Sequence, residues 1–252
     1  MVNNGLICND GLYEMDFPLL EEQAADPDAK IMILCSPHNP VGRVWTKEEL
    51  ARVGEICKKN NVLVIADEIH SDLVYAGYVH TPFALASDAP HLLCTSLGKT
   101  FNVAGLRLAN IFSSSAELKK QYDQEIDAYS YSASNTFGLE MVQAAYSPEG
   151  EAWLEELLVY LQGNVEVVSE WCQKHNVGFT APQGTFLCWL DLGSAGLTDE
   201  EIIKKIIMGK EVICVPGPWF GKGGEGHLRL NIGCTRKTLV EALDRIASVL
   251  NN

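Results

Sequence analysis

Thr95-Ser96-Leu97-Gly98-Lys99-Thr100-Phe101-Asn102-Val103-Ala104-Gly105-Leu106-Arg107 is the stretch on which the reading of this chain turns. A hydroxyl stands three residues before the lysine and an arginine eight after it, a spacing that can hold a phosphate beside an amine nucleophile. Residues 91–95, which lead into it, are a short apolar run, and so are residues 62–66 and 31–35 upstream. Bounded by polar loops, such runs read as buried parallel strands, and residues 108–113 offer a fourth. Thr46-Lys47-Glu48-Glu49 is a capping box opening an amphipathic helix to about Lys59. This alternation of strand and helix predicts an α/β sheet whose loops at the strand carboxyl ends carry the chemistry. Asn39, Asp67 and Lys99 all fall just past such ends.

From about Pro148 the pattern changes. A long helical stretch, residues 151–175, leads to short strands near residues 177–180, 186–190, 212–215 and 228–232. Helices fill the gaps, one capped by Thr198 with Glu201 and another spanning residues 236–250. The expected division is a large domain over residues 1–148 and a smaller α/β domain over residues 149–252.

At 252 residues the chain can bury one large or two ordinary cores. A formal net charge of −14 argues against nucleic acid or an anionic membrane as partner, since both demand a basic surface. The eight cysteines are scattered, none in Cys-x-x-Cys and several within apolar runs, which favours buried thiols in a reducing cytosol. No apolar run approaches membrane-spanning length, and no basic stretch followed by an apolar one opens the chain, so a cytoplasmic protein is expected.

Taken together, Ser36-Pro37-His38-Asn39-Pro40-Val41-Gly42, the 62–68 run ending in Asp67-Glu68, and the Lys99 stretch resemble the large-domain core of fold-type I pyridoxal phosphate (PLP) enzymes, the class I/II aminotransferase superfamily. Within it the resemblance is closest to the cystathionine β-lyase-like C–S lyases. Many aminotransferases of the superfamily carry tyrosine three residues after the aspartate, whereas this chain has Asp67-Glu68-Ile69-His70. The loop Tyr75…His80-Thr81-Pro82-Phe83 and the run from Ser36 to Trp45 point the same way.

The resemblance implies an aspartate aminotransferase-like large domain with a mixed, mostly parallel sheet, followed by a smaller C-terminal α/β domain. It implies that Lys99 holds PLP as a Schiff base and later moves the substrate Cα proton. Asp67 would pair with the pyridine nitrogen, keeping the ring an electron acceptor. Asn39 would hydrogen-bond the phenolic oxygen, with His70 a cofactor contact or a structural histidine. Ser96 and Arg107 would grip the phosphate, and Arg229, in His227-Leu228-Arg229-Leu230-Asn231, would receive the α-carboxylate. Tyr75, Tyr78 and His80 are site-adjacent candidates. The resemblance runs from about Asn3 to the carboxyl end. Family members carry a further N-terminal portion, so the large domain is expected to be incomplete; intact members form homodimers.

Each residue alone has a plainer reading: a solvated lysine, a turn aspartate, an Asn-Pro turn, an ion-paired strand arginine. Their company decides otherwise. A nucleotide-hydrolase reading of Asp67-Glu68 and Gly98-Lys99-Thr100 fails because Leu93 stands where a P-loop needs glycine, and Lys99 follows Asp67 rather than preceding it. A metal site on Asp67, Glu68, His70 and Asp72 lacks a second ligand set at metal-like spacing, so no metal is expected. The expected activity is C–S β-elimination from an amino acid. An aminotransferase is the near alternative, and a non-catalytic remnant or interaction protein is the alternative of a different class.

Overall fold

The computed structural model of the protein describes residues 1–9, 11–131 and 135–250. Its first hundred residues hold β1 (Ile7–Asn9), β2 (Leu12–Glu14), α1 (Phe17–Ala24), β3 (Ile31–Cys35), α2 (Lys47–Lys59), β4 (Leu63–Asp67), α3 (Phe83–Ala86), β5 (His91–Thr95) and the one-turn α4 (Leu97–Thr100). Next come β6 (Asn110–Ser113), α5 (Ala116–Ala128), α6 (Thr136–Ala145) and α7 (Pro148–His175). The remainder is β7 (Gly178–Phe179), β8 (Leu187–Asp191), α8 (Asp199–Glu201), β9 (Val215–Pro216), β10 (His227–Asn231) and α9 (Arg236–Leu250).

These elements gather into two units. The first comprises Phe17–Pro37 and Val44–Leu158; the second comprises Met1–Asp16, His38–Arg43 and the chain from Val159 on.

In the first unit, β3, β4, β5 and β6 form one sheet in that order, with the first three parallel and β6 antiparallel to β5. This is the mixed, mostly parallel sheet expected. Ladder register places Leu34, Ala66 and Leu93 in one row and Val64 beside His91 in the next, and all five are buried. The opposite face carries Ile33, Ile65 and Leu92 in register, none of them buried. On the edge strand β3, Ile31 is 57% exposed and Ile33 67%. Parallel sheets ordinarily have both faces covered, so this apolar face stands out.

Helix α2 forms as its sequence dictates. Thr46 Oγ1 accepts from Glu49 N at 3.2 Å while Glu49 Oε2 accepts from Thr46 N at 2.7 Å, closing the capping box. Leu50, Val53, Ile56 and Cys57 recur at helical spacing and are buried. Gly54 lets α2 approach the end of α3, because a Cβ there would lie 1.9 Å from Ser87 Oγ. The fourth strand begins at Asn110 rather than residue 108. Arg107 takes a left-handed backbone, φ 50°, and the ladder opens only at Thr95 opposite Asn110.

In the second unit, β7, β8, β10 and β9 make an antiparallel sheet in that order. Leu228 and Leu230 point to its buried side, leaving His227 and Arg229 on the other face. The strand expected near residues 212–215 is reduced to Val215–Pro216, the two residues that pair with Arg229 and Leu228 of β10. After α8, whose Thr198–Glu201 capping box is formed, the helix continues as a π-helical stretch, Ile202–Met208.

Asn164, fully buried in α7, donates to Ile232 O at 2.8 Å and Cys234 O at 3.2 Å, and accepts from Arg236 Nε at 2.6 Å. It thereby ties the exit of β10 and the start of α9 to α7. The loop His38–Arg43 docks through Gly42, whose carbonyl accepts from Gln183 N and Gly184 N. Gly42 has φ 71°, and a Cβ there would come within 2.3 Å of Pro182 Cβ.

All eight cysteines are free thiols; Cys57, Cys172 and Cys188 are buried, whereas Cys8 is exposed. Among the described residues no helix is long and apolar enough to cross a membrane.

Candidate active site

Asp67 ends β4 between Cys35 of β3 and Cys94 of β5, and its carbonyl accepts from Ser36 N at 3.0 Å. Three parallel strands thus bring their carboxyl ends to one edge. Burial pushes the Asp67 carboxyl above its ordinary value, opposed by the Ile69 N–H and the positive charge of Lys99 and aided by Glu68. Glu68, 1% exposed, turns the other way. Its Oε1 accepts from Phe83 N at 2.7 Å, and its Oε2 meets His80 Nε2 at 2.9 Å.

Lys99 stands on α4, directly after β5. Ser96 caps that turn, accepting from Gly98 N at 3.1 Å and donating its hydroxyl to Leu108 O at 2.7 Å. Ser96, Gly98, Lys99 and Arg107 line one cavity of about 250 Å³, together with Ile69, Ala104, Leu108 and Ala109. Arg107 reaches it from the left-handed residue that closes the Ala104–Leu106 turn. A primary amine, a guanidinium and a hydroxyl around one cavity, with a carboxyl close enough to feel the amine's charge, match the donor set that PLP needs. The cations suit the phosphate, the amine suits the aldehyde and the carboxylate suits the pyridine nitrogen. For Ser96 to grip a phosphate, its hydroxyl must turn away from Leu108 O.

His70 and Tyr75 are buried in the chain that follows Asp67, Tyr78 is exposed, and His80 is held by Glu68. Asp72 accepts from Thr100 Oγ1 at 2.8 Å. Two acidic residues that sequence alone could offer to a metal are therefore engaged with His80, Phe83 N and Thr100. No group of three or more metal-type ligands occurs among the described residues.

The second unit holds the other constellation. Arg229 Nη1 donates to Asn39 Oδ1 at 2.7 Å, across 190 residues of sequence. Arginine has no acceptor, so the amide end facing it must be Oδ1, and Nδ2 is the donor end of Asn39. The guanidinium lies over the Phe220 ring at 4.9 Å, and burial lowers its pKa without endangering its charge. Trp189 stacks on His227 at 4.9 Å and meets Phe220 edge-on at 5.4 Å. His38, in the same loop as Asn39, is half-buried with its ring withdrawn from water, and desolvation, aided by the charge of Arg43, brings its pKa down from 6.5 to about 4 and leaves the ring neutral.

Sequence reasoning named Ser96, Lys99, Arg107 and Asp67, which the first unit groups together, and Asn39 and Arg229, which the second unit joins. It missed the Glu68–His80 and Thr100–Asp72 pairs and the Phe220 ring. The hydroxyl after Lys99 and the aspartate five residues after Asp67 were the available signal for one of these pairs.

The family model for aminotransferases of class I and II matches residues 11–246. Cystathionine beta-lyase PatB of Bacillus subtilis is 37% identical over 256 residues, covering 100% of this chain and 66% of its own length. Protein MalY of Escherichia coli is 34% identical, covering 94% of this chain and 60% of its own. Among solved structures, cystalysin from Treponema denticola, which contains PLP, superposes with a TM-score of 0.94 at 30% identity, over 99% of this chain and 64% of that one. The PLP-bound C–S lyase from Staphylococcus hominis gives 0.87 at 33% identity, over 97% and 64%. The chain thus spans between 60 and 66% of the length of these relatives.

Proposed function

This chain belongs to the class I and II aminotransferase family, and on that premise we propose that it serves a PLP-dependent C–S β-lyase, converting a cystathionine- or cysteine-like amino acid and water into pyruvate, ammonia and a thiol. The observation that carries the reading is the single cavity shared by Ser96, Lys99 and Arg107, with Asp67 in the field of Lys99.

When bound, PLP supplies a ring that accepts the electron pair left at the substrate Cα. Arg107 and Ser96 are assigned to the phosphate, and the carboxylate of Asp67 to the pyridine nitrogen. Lys99 Nζ would hold the cofactor through its aldehyde carbon, and as a free amine would act as the general base for the Cα proton. Arg229 receives the α-carboxylate, with the Phe220 face and the Asn39 oxygen fixing its direction. Asn39 Nδ2 is the donor assigned to the phenolic oxygen, and His70 is assigned to the cofactor's surroundings. The thiolate leaves from Cβ, which β-elimination requires and transamination does not. The net charge of −14 and the eight free thiols fit work on small amino acids in a reducing cytoplasm, away from nucleic acid and membrane; the homodimer is proposed from the family alone.

The family match favours one second reading, an aminotransferase using the same residues. A lyase makes pyruvate and thiol from one substrate, whereas a transaminase stalls without a 2-oxo acid. The deciding experiment adds PLP to the purified chain, records the visible spectrum, reduces with borohydride and maps the labelled peptide. Label at Lys99, lost in Lys99→Ala, followed by pyruvate release from cystathionine, is expected. A colourless, unlabelled chain would refute the reading for this chain.

A further inference from the structure

Lys99 is carried by a single helical turn, Leu97–Thr100, and one turn does not hold itself, because helix nucleation is unfavourable. Its amino end is fixed by Ser96, bonded to Gly98 N and Leu108 O. At its carboxyl end, Thr100 is 2% exposed and its hydroxyl donates to Asp72 Oδ2 at 2.8 Å. A hydroxyl donating to a carboxylate is a charge-assisted bond, about twice as strong as a neutral one. Leu97, Gly98 and Thr100 are buried and Lys99 is exposed, so the direction in which Thr100 points sets the rotational phase of the turn. Asp72 lies in the chain that follows β4, five residues past Asp67. The bond therefore fastens the residue after Lys99 to the segment that begins with Asp67. Tyr146, about half exposed, also feels the Asp72 charge, and partial desolvation together with that charge raises its phenol above the ordinary value.

We propose that the Thr100–Asp72 hydrogen bond is a positioning device that sets the direction of the Lys99 amine relative to Asp67; the proposal rests on Lys99 being the PLP-bearing lysine. Thr100 and Asp72 act through Lys99 and need touch neither cofactor nor substrate.

Two readouts on the whole chain test it. The first is cofactor-free: competitive acetylation with acetic anhydride across pH, with Lys99 quantified against the other lysines by peptide mapping. The second is the rate of PLP incorporation at Lys99 fixed by borohydride. Thr100→Val keeps the volume and removes the donor. It is expected to displace the Lys99 acetylation profile while leaving the other lysines unchanged, and to slow incorporation about tenfold, the loss of one hydrogen bond to a charged group. Thr100→Ser should restore both. Asp72→Ala should match Thr100→Val, and the double variant should be no worse than either single one.

A Lys99 acetylation profile identical in all variants overturns the proposal, whatever happens to the melting temperature. Equal PLP labelling of wild type and Thr100→Val also overturns it while leaving the proposed function standing. An unlabelled wild type refutes the proposed function and with it the proposal's premise, and an acetylation profile that still shifts in Thr100→Val then shows only that the bond orients the Lys99 amine. Should Thr100→Val fail to fold, Asp72→Asn retains an acceptor oxygen without the charge. Slower labelling is then expected, and unchanged labelling overturns the proposal.

Discussion

Burial raises the Asp67 carboxyl above its ordinary value of 3.8, against the pull of the Ile69 N–H and Lys99. As pH rises through the window between the ordinary and raised values, the unfolded chain loses this proton before the folded one does. Stability therefore falls across that window and stays lower above it. Asp67→Asn removes the cost, so the cofactor-free variant should melt above wild type at neutral pH, and the gain should vanish in acid below the ordinary value. A lower melting temperature at neutral pH would mean that attraction to Lys99 outweighs burial. His38 has the opposite slope. Its pKa falls from 6.5 to about 4 on folding, so protonation opposes the fold as pH drops through that window. The shift corresponds to roughly 3 kcal/mol. His38→Gln should flatten the stability profile between those two values in urea titrations, and an unchanged slope would refute a buried neutral imidazole. At this scale the sequence disclosed residue types and spacing but not partners. Ser96, Lys99 and Arg107 lie within one short stretch and were legible, whereas no local pattern pairs Asn39 with Arg229 across 190 residues.

Elements were legible where local chemistry alone decides them. The capping box at Thr46, the strand at His91–Thr95 and the helix at Arg236–Leu250 all lie where sequence placed them. Thr46→Ala should cost about 1 kcal/mol of stability, read as a lower urea midpoint with unchanged slope. A null result would show that α2 is held by its buried face alone. Legibility failed where tertiary pairing sets the bounds. The strand expected near residues 212–215 survives only at Val215–Pro216, opposite Arg229 and Leu228. The residues after α8 carry an ordinary helical pattern, and nothing in their composition marks the π-helical hydrogen bonding of Ile202–Met208.

At the scale of the whole molecule, the apolar sheet face ending in exposed Ile31 and Ile33 is the main liability. Ile33→Lys should reduce self-association measured by light scattering at fixed concentration. Scattering equal to wild type would place the sticky surface elsewhere.

The loop His38–Arg43, flanked on both sides by the first unit yet belonging to the second, has a consequence during synthesis. Translation completes the first unit when Leu158 emerges, but Asn39 must wait a further stretch of chain for Arg229. At about 5–20 residues per second, the 190 residues between them take roughly 10 to 40 s. No contiguous piece short of nearly the whole chain contains the second unit. A fragment ending at Leu158 should accordingly unfold cooperatively when produced alone, and one beginning at Val159 should not. The ribosome thus finishes the unit that bears Lys99 first, and the other unit can close only once the chain has reached Arg229, the partner of Asn39.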